Sequence, residues 1–376
     1  MRVAIIGGGP AGLYLSILLA RWGVTRDVVV YEQNPQDATY GFGVGLAEGA
    51  LNKLAAADQG SHDALTAALY YSSSQDIENP SGFLRLETGL KAGMITRLTL
   101  LQVLQAEVDK IGLDVHYNAR IDGIDHFDAY DLVVGADGAN SVIRNDLAEH
   151  FGCERHFLRN RFAWYGFDKA LPSALRFRKR GESVFIAHYY PYTDKMSTFL
   201  MEVDGDTWEH HGFGDLSDAE RKRISEDVFE DVLDGGRLID NKSDWTRFHT
   251  VRNRRWVSDR VALIGDALYR GHFSIGSGTR LAMQDSIGLA KALKERPDNV
   301  AAALLSYERE CAPKKEMLMA AAEKSYNWYE AVRTKMGLPI ADFTYDFLTR
   351  TGRMSEERLR MSLPDFMKTY DDARAI

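Results

Sequence analysis

Apolar positions along the chain come first in a short β-branched run, RVAII (2–6), bounded by glycine. Such a run predicts a fully buried strand of a parallel sheet. In GGGPAGLYLSILLARWG, which follows, Leu13, Ile17 and Ala20 recur at helical spacing, Pro10 suits a first helical turn and Gly23 a stop. DVVVYEQ (27–33) is a second buried-strand run. The opening therefore reads strand, glycine turn, helix, strand: one βαβ unit.

Further on, residues 40–55 begin glycine-rich and end helical. LTLLQVLQAEVDKIG (98–112) carries Leu98, Leu101, Leu104 and Val108 near one helical face, DVHYNARIDGI (114–124) reads as strand, and DLVVGADGANSVIR (131–144) as a buried strand ending in a glycine turn. From about 158 to 250 the pattern changes. FAWYGF, SALRFRKR, SVFIAHYYPY and STFLMEV alternate apolar and polar at period two, which predicts an antiparallel sheet with one covered face. DRVALIGDA (259–267) returns to the buried-strand pattern, followed by glycines and a helix to about Leu293, and 301–376 is mostly helical and charged. The expected fold class is α/β: a Rossmann-like nucleotide domain, an inserted antiparallel β-sheet substrate domain and a helical C-terminus. The boundaries expected are 1–70, 95–158 and 255–300 for the first, 71–94 and 159–254 for the second, and 301–376 for the third.

Composition narrows the function classes. The chain has 376 residues, 45% hydrophobic and 27% charged, ordinary for a globular protein. A net charge of −8 argues against a general nucleic-acid binder, which needs a basic field. Two distant cysteines, Cys153 and Cys311, build neither a disulfide framework nor a zinc site, and no other metal constellation is visible. The longest apolar runs are too short to span a bilayer, and strand pattern begins at Arg2, so a cytoplasmic protein, monomer or homodimer, with no membrane partner is expected.

The sharpest motif is Gly7-x-Gly9-x-x-Gly12, with Pro10 and Ala11 inside it and Glu32 twenty residues beyond Gly12. Gly7 allows the tight turn, Gly9 lets backbone approach a pyrophosphate, and Gly12 lets the helix pack on the strand. The helix N-terminus offers N–H groups to phosphates, and Glu32 can accept from ribose hydroxyls. A tight βα turn without a ligand is the alternative. Three further segments bear on which dinucleotide: Asp137-Gly138 with Arg144, Gly265-Asp266 after an apolar strand, and Arg97 at a helix start. Singly, Asp137 also suits a turn cap and Asp266 a helix cap.

Together and in this order, these segments resemble the single-component FAD-dependent aromatic hydroxylases built like para-hydroxybenzoate hydroxylase. The resemblance covers almost the whole chain. It implies that Asp266 holds the ribityl chain of FAD, that Asp137 lies near the pyrophosphate and that Arg97 contacts the cofactor. Where the commonest family text has DAAH and then proline, Tyr269 and Phe273 stand here. GHFSIGSGT (271–279) resembles a narrower branch that hydroxylates salicyloyl-CoA, 2-aminobenzoyl-CoA and a tryptophan-derived indole of violacein assembly. FTYDFLTRTGRMSEERLR (343–360) looks closer to the CoA-thioester enzymes.

The resemblance implies NADH or NADPH as a transient electron donor, O2 as cosubstrate and oxygen transfer through a flavin C4a-hydroperoxide. Gly276, Ser277, Gly278 and Thr279 open a helix whose N–H groups suit negative charge on the flavin ring. Gly43 and Val44 lie in a glycine loop expected beside that ring. Trp164, His188, Tyr190 and Phe273 are the candidate pocket residues, His188 and Tyr190 sharing a sheet face; packing in the sheet core is the alternative for each. Arg176, Arg178 and Arg180 form the densest basic run and suit the phosphates of a CoA tail. A solvated strand edge is the other reading of that run. Other substrates held open are a free aromatic acid and an indole-derived compound. A flavin halogenase is disfavoured, since Trp164 is followed by Tyr165-Gly166-Phe167 and no Trp-x-Trp-x-x-Pro occurs. A non-catalytic FAD-fold binding protein is the rival of another class.

Overall fold

Two sheets organise the chain in a computed structural model that describes residues 1–38, 41–241, 244–276 and 278–375. In chain order the first strands are β1 (Val3–Ile6), β2 (Val28–Tyr31), β3 (Gly43–Ala47), β4 (Tyr70–Asn79) and β5 (Gly82–Thr96). Next come β6 (Asp114–His116), β7 (Leu132–Gly135), β8 (Cys153–Phe167), β9 (Ala174–Arg180) and β10 (Ser183–Pro191). The last are β11 (Ser197–Val203), β12 (Thr246–Asn253), β13 (Val257–Ser258), β14 (Val261–Leu263) and β15 (Tyr269–Arg270).

The six-stranded sheet runs β13-β14-β7-β1-β2-β6. All its pairings are parallel except β13 with β14. The middle strands, β1, β7 and β14, are buried throughout, as a parallel sheet covered on both faces requires. The helix Pro10–Arg21 lies on it, buried almost all round. Leu13, Ile17 and Leu289 belong to the same core as β1 and β7.

The larger sheet has nine strands, ordered β15-β12-β8-β11-β10-β9-β4-β5-β3. Register explains its two faces. Facing residues of paired strands share a side, so Phe185, Ala187 and Tyr189 of β10 line up with Val203, Met201 and Phe199 of β11. That side packs into one apolar core with Phe213 and Phe229. Ile186, His188 and Tyr190 point to the other side, with Glu202, Leu200 and Thr198. The C-terminal helices cover part of that side: Phe177 and Ile186 pack with Trp328, Tyr329, Phe343 and Phe347.

Several local expectations change. Gly43–Ala47 is a strand, β3, paired with β5 rather than a glycine loop; pairing outweighs the low strand propensity of glycine. The strand expected over 114–124 is only three residues long, Asp114–His116. The larger sheet is not wholly antiparallel, since β4 pairs β9 in parallel through Asp76–Glu78. Between β11 and β12 lie helices Gly205–His210 and Asp218–Val228 rather than only strands and loops. Among the described residues no helix is long and apolar enough to cross a membrane.

Candidate active site

The turn after β1 separates three jobs among its glycines. Gly7 has φ +114°, and a Cβ there would sit 2.3 Å from the Ala136 carbonyl oxygen. A Cβ on Gly12 would sit 2.0 Å from the Gly7 oxygen and 3.1 Å from Ile5 Cγ2, so Gly12 lets the helix press on the strand. At Gly9 a Cβ would meet nothing within 4 Å. Gly9 is the N-cap of the helix, has no side-chain cap, and is followed by Pro10 at the first helical position. Free N–H groups at that helix start face a cleft of about 190 Å³ lined by Gly9, Pro10, Glu32, Arg97, Gln105 and Thr279. Glu32 closes the turn as well as lining the cleft: Oε2 accepts Gly8 N–H at 2.8 Å and Oε1 accepts Asn34 N–H at 2.8 Å. Ala11 does not line the cleft. It is buried beneath Gly265, where an added Cβ would lie 3.2 Å from its own.

Asp266 and Arg97 bring opposite charges to this cleft. Arg97 lines the cleft, Asp266 stands close enough for the two charges to interact, and both residues keep exposed surface. Among the described residues neither side chain makes a hydrogen bond or an ion pair. Burial raises the Asp266 carboxyl above its ordinary value, against the pull of Arg270, Arg97 and Lys315. Burial also lowers the Arg97 guanidinium. Opposite charges left without protein partners beside a glycine turn fit a polar ligand such as a dinucleotide, whose hydroxyls and phosphates can engage both.

Beneath Asp266 lies a contact that sequence reading missed. Gly265 N–H donates to Asp285 Oδ2 at 2.9 Å, and Lys315 Nζ lies 2.5 Å from the same oxygen, with both side chains buried. Arg144 is also fully buried and donates to the carbonyls of Ala267 (3.1 Å) and Ala139 (2.7 Å), tying the two motif segments together. Asp137 caps the helix Val142–Asp146: its Oδ2 accepts Val142 N–H at 2.7 Å, while Oδ1 is buried with no partner. Gly276 and Gly278 are exposed at the start of the helix Gly278–Glu295, and Thr279 lines the cleft. Ser277 lies outside the described residues. Gly43 N–H donates to Thr198 Oγ1 at 2.9 Å, and Tyr190 Oη donates to Gly43 O at 2.9 Å. Val44 follows it in β3, paired with Ile95.

A second cavity, of about 160 Å³, opens under the larger sheet, lined in part by His188, Leu200, Glu202, Phe273, Tyr329 and Arg350. That is about the size of an apolar cavity that holds one benzene ring. Of the four candidate pocket residues the structure brings His188 and Phe273 to it. Tyr190 turns to β3 instead, and Trp164 stands behind Phe273, ring centroids 6.0 Å apart. Burial and the Arg350 charge push His188 down to about 4, so its imidazole is neutral near pH 7. His272 is buried, and its Nδ1 accepts Ser274 N–H at 3.2 Å, a cap rather than a pocket group.

Glu202 accepts from Asn160 Nδ2 at 2.7 Å, and burial pushes its carboxyl up to about 8, with Glu330 and Asp204 adding to the rise. Its folded value lies above its unfolded one. Neutral Glu202 therefore favours the fold fully below the ordinary glutamate value, and that contribution is lost as pH rises towards 8. Glu202→Gln is expected to stabilise the protein by on the order of 1 kcal/mol per pH unit across this window. Denaturant melts at pH 5 and pH 8 check it; an equal effect at both would contradict the assignment.

Two of the three arginines expected to meet CoA phosphates, Arg176 and Arg178, lie away from the second cavity and already have carboxylate partners. Arg176 and Arg178 face Ala187 and Phe185 across β10, on the opposite side of the sheet from His188. Arg176 is paired with Glu78, and its Nε lies 2.5 Å from Tyr189 Oη. Arg178 pairs with Glu78 and with Asp231 at 2.5 Å, and Arg180 donates to the Asp227 carbonyl at 2.5 Å. Carboxylates of neighbouring elements thus neutralise Arg176 and Arg178, while Arg180 stays exposed and meets only a carbonyl among the described residues.

Comparison with known proteins bears on both cavities. The model of an FAD binding domain family matches residues 1–126 and 91–322. Salicyloyl-CoA 5-hydroxylase of a Streptomyces species is 36% identical over 365 residues, covering 93% of this chain and 70% of the relative. 3-Hydroxy-4-methyl-anthranilyl-[aryl-carrier protein] 5-monooxygenase of Streptosporangium sibiricum is 33% identical, covering 94% and 95%. Protodeoxyviolaceinate monooxygenase of Chromobacterium violaceum is 30% identical, covering 93% and 94%. Among solved structures, P. aeruginosa PqsL in complex with 2-aminobenzoylacetate shares the fold with a TM-score of 0.71 at 18% identity, covering 89% of this chain and 98% of that one.

Proposed function

We propose that this chain, which belongs to the FAD binding domain family and is an FAD-dependent aromatic monooxygenase, hydroxylates an aromatic acyl group carried on a thioester. The acyl group is a benzoyl ring with an ortho hydroxyl or amino substituent, as in salicyloyl-CoA or 2-aminobenzoyl-CoA. One observation carries the thioester: two relatives similar over nearly the whole chain are named for aromatic groups borne on coenzyme A or an aryl-carrier protein. The second cavity supports it, since about 160 Å³ suits one ring and leaves a CoA nucleotide outside.

FAD, with electrons from NADH or NADPH, supplies the activation of O2 and the oxygen atom delivered to the ring. The residues of the chain bind and orient. Gly9 and the N–H groups after it take the pyrophosphate, Glu32 a ribose, Asp266 the ribityl hydroxyls, and Arg97 a further polar edge of the cofactor. Phe273, in the wall of the second cavity, would help present the substrate ring to the flavin. Apolar Leu200 and Phe347 exclude water around it. Neutral His188 offers a hydrogen-bond partner to the ortho substituent. A free acid or an indole-derived substrate is the second reading. It is favoured by the third relative and by Arg350, which would also pair with a carboxylate.

Purified enzyme should oxidise NADH or NADPH faster when 2-hydroxybenzoyl-CoA is added, by roughly tenfold or more. The product should gain one oxygen atom labelled from 18O2. Label arriving from water would overturn the monooxygenase chemistry, and turnover of free salicylate at least as fast as the thioester would overturn the thioester.

A further inference from the structure

The C-terminal segment places a cation in the wall of the second cavity that the protein does not neutralise. Arg350 follows the helix Ile340–Thr349. Its guanidinium stacks on the Phe347 ring, 3.8 Å from centroid, and is largely surrounded by protein. Nε donates to Ser325 Oγ at 3.0 Å, Nη1 to Phe347 O at 2.6 Å and Nη2 to Ser274 O at 2.9 Å. All three acceptors are uncharged. A guanidinium carries five N–H donors, so one N–H on each terminal nitrogen remains uncommitted among the described residues. No carboxylate lies within ion-pair distance of it among those residues.

The other titratable groups around the cavity do not supply the missing charge. Facing it from β10 is His188, and Arg350 lowers the basicity of that imidazole. From β11 comes Glu202, held neutral near pH 7 by burial. From the helix Val300–Glu330 comes the Tyr329 phenol, raised by burial. His272, outside the cavity but near enough to feel the Arg350 charge, is also kept neutral. The remaining wall is apolar apart from Gln75 and Ser274. A half-buried cation in a cavity wall, with spare donors and no counter-charge, is costly unless a ligand supplies one.

We propose that Arg350 is a substrate-binding residue that pairs with an anionic oxygen on the aromatic ring, so that the cavity takes ortho-hydroxybenzoyl groups as phenolates in preference to ortho-aminobenzoyl groups. Arginine has only donors, so an amino group offers it nothing comparable, whereas a phenolate accepts two charge-assisted bonds. This rests on the thioester reading above, in which the acyl carboxylate is masked and the ring hydroxyl is the ionisable oxygen left.

The test measures binding to the FAD-loaded enzyme of 2-hydroxybenzoyl-CoA, 2-aminobenzoyl-CoA and benzoyl-CoA, with the wild type, Arg350→Gln and Arg350→Lys. FAD content and unfolding midpoint are recorded to register structural damage. Arg350→Gln should weaken the hydroxy ligand by roughly tenfold to a hundredfold and the other two about twofold or less. Arg350→Lys should restore most of the loss. The phenol absorbance of the bound hydroxy ligand should titrate at least about one unit lower than in solution on the wild type, and as in solution on Arg350→Gln. Equal losses for all three ligands, or a bound phenol that titrates as it does free, overturn the proposal. Free salicylate, run beside them, separates the two readings. If it binds more tightly than its thioester and Arg350→Gln still weakens it, the thioester falls and Arg350 stands. If thioesters bind but Arg350→Gln changes none of them selectively, the reverse holds.

Discussion

Lys315→Met should destabilise the fold by about 3–5 kcal/mol and release FAD, although Lys315 lines neither cavity. Its ammonium lies 2.5 Å from Asp285 Oδ2, with both side chains at most 5% exposed. Without it Asp285 becomes a buried, uncompensated carboxylate. Burial already raises the Asp285 carboxyl, and Lys315 is the main force opposing that rise. The same oxygen accepts Gly265 N–H at 2.9 Å, and Gly265 holds a left-handed φ of +62° just before Asp266. A protonated or displaced Asp285 loosens that turn, and with it the carboxylate expected to hold the ribityl chain. Denaturant melts and the flavin absorbance of purified protein read the two effects. The double variant Lys315→Met with Asp285→Leu removes both charges and should recover much of the stability, as apolar replacements of buried ion pairs often do. It should recover less of the FAD, because Gly265 N–H stays without its acceptor. A single variant with wild-type stability and full flavin would show that the pair is not needed.

What the sequence discloses of this site follows the range of the contacts. The glycine turn, its helix and Glu32 lie within one βαβ unit, so spacing alone identifies them. Asp285 and Lys315 are thirty residues apart and meet only when the helices Gly278–Glu295 and Val300–Glu330 pack. Neither has a local pattern of its own. Arg350 is hidden in the same way: its acceptors, Ser274 and Ser325, come from two distant elements. In the sequence its segment, 343–360, offers a resemblance and no spacing that singles Arg350 out. The basic run of β9 illustrates the converse. A sequence displays charge but not partners, and Glu78 reaches Arg176 and Arg178 only because β4 lies alongside β9. One missed helix did carry a signal. Ser217 and Glu220 form a capping box ahead of Asp218–Val228, legible as S-x-x-E.

Gly12→Ala and Gly9→Ala should fail in different ways, although both alter one fingerprint. At Gly12 the new methyl would sit 2.0 Å from the Gly7 carbonyl oxygen and 3.1 Å from Ile5 Cγ2. The first neighbour is backbone and cannot swing away, so the helix must lift off β1. A cost of roughly 1–3 kcal/mol is expected, as for overpacked cores, with FAD lost through the displaced helix start. At Gly9 the backbone has φ −77°, which alanine adopts freely, and the methyl meets nothing within 4 Å. Stability should change by less than about 1 kcal/mol, since the poorer N-cap preference of alanine is opposed by the unfolded-state entropy that replacing glycine removes. The methyl instead projects into the cleft where the pyrophosphate approaches the helix N-terminus. Losing one charge-assisted hydrogen bond there should weaken FAD by roughly tenfold to a hundredfold. Apoprotein melts separate the two variants, and FAD titration of each apoprotein completes the comparison. If Gly9→Ala binds FAD as the wild type does, the pyrophosphate does not pass over Gly9. If it melts as early as Gly12→Ala, Gly9 serves the packing of the turn rather than the approach of a phosphate.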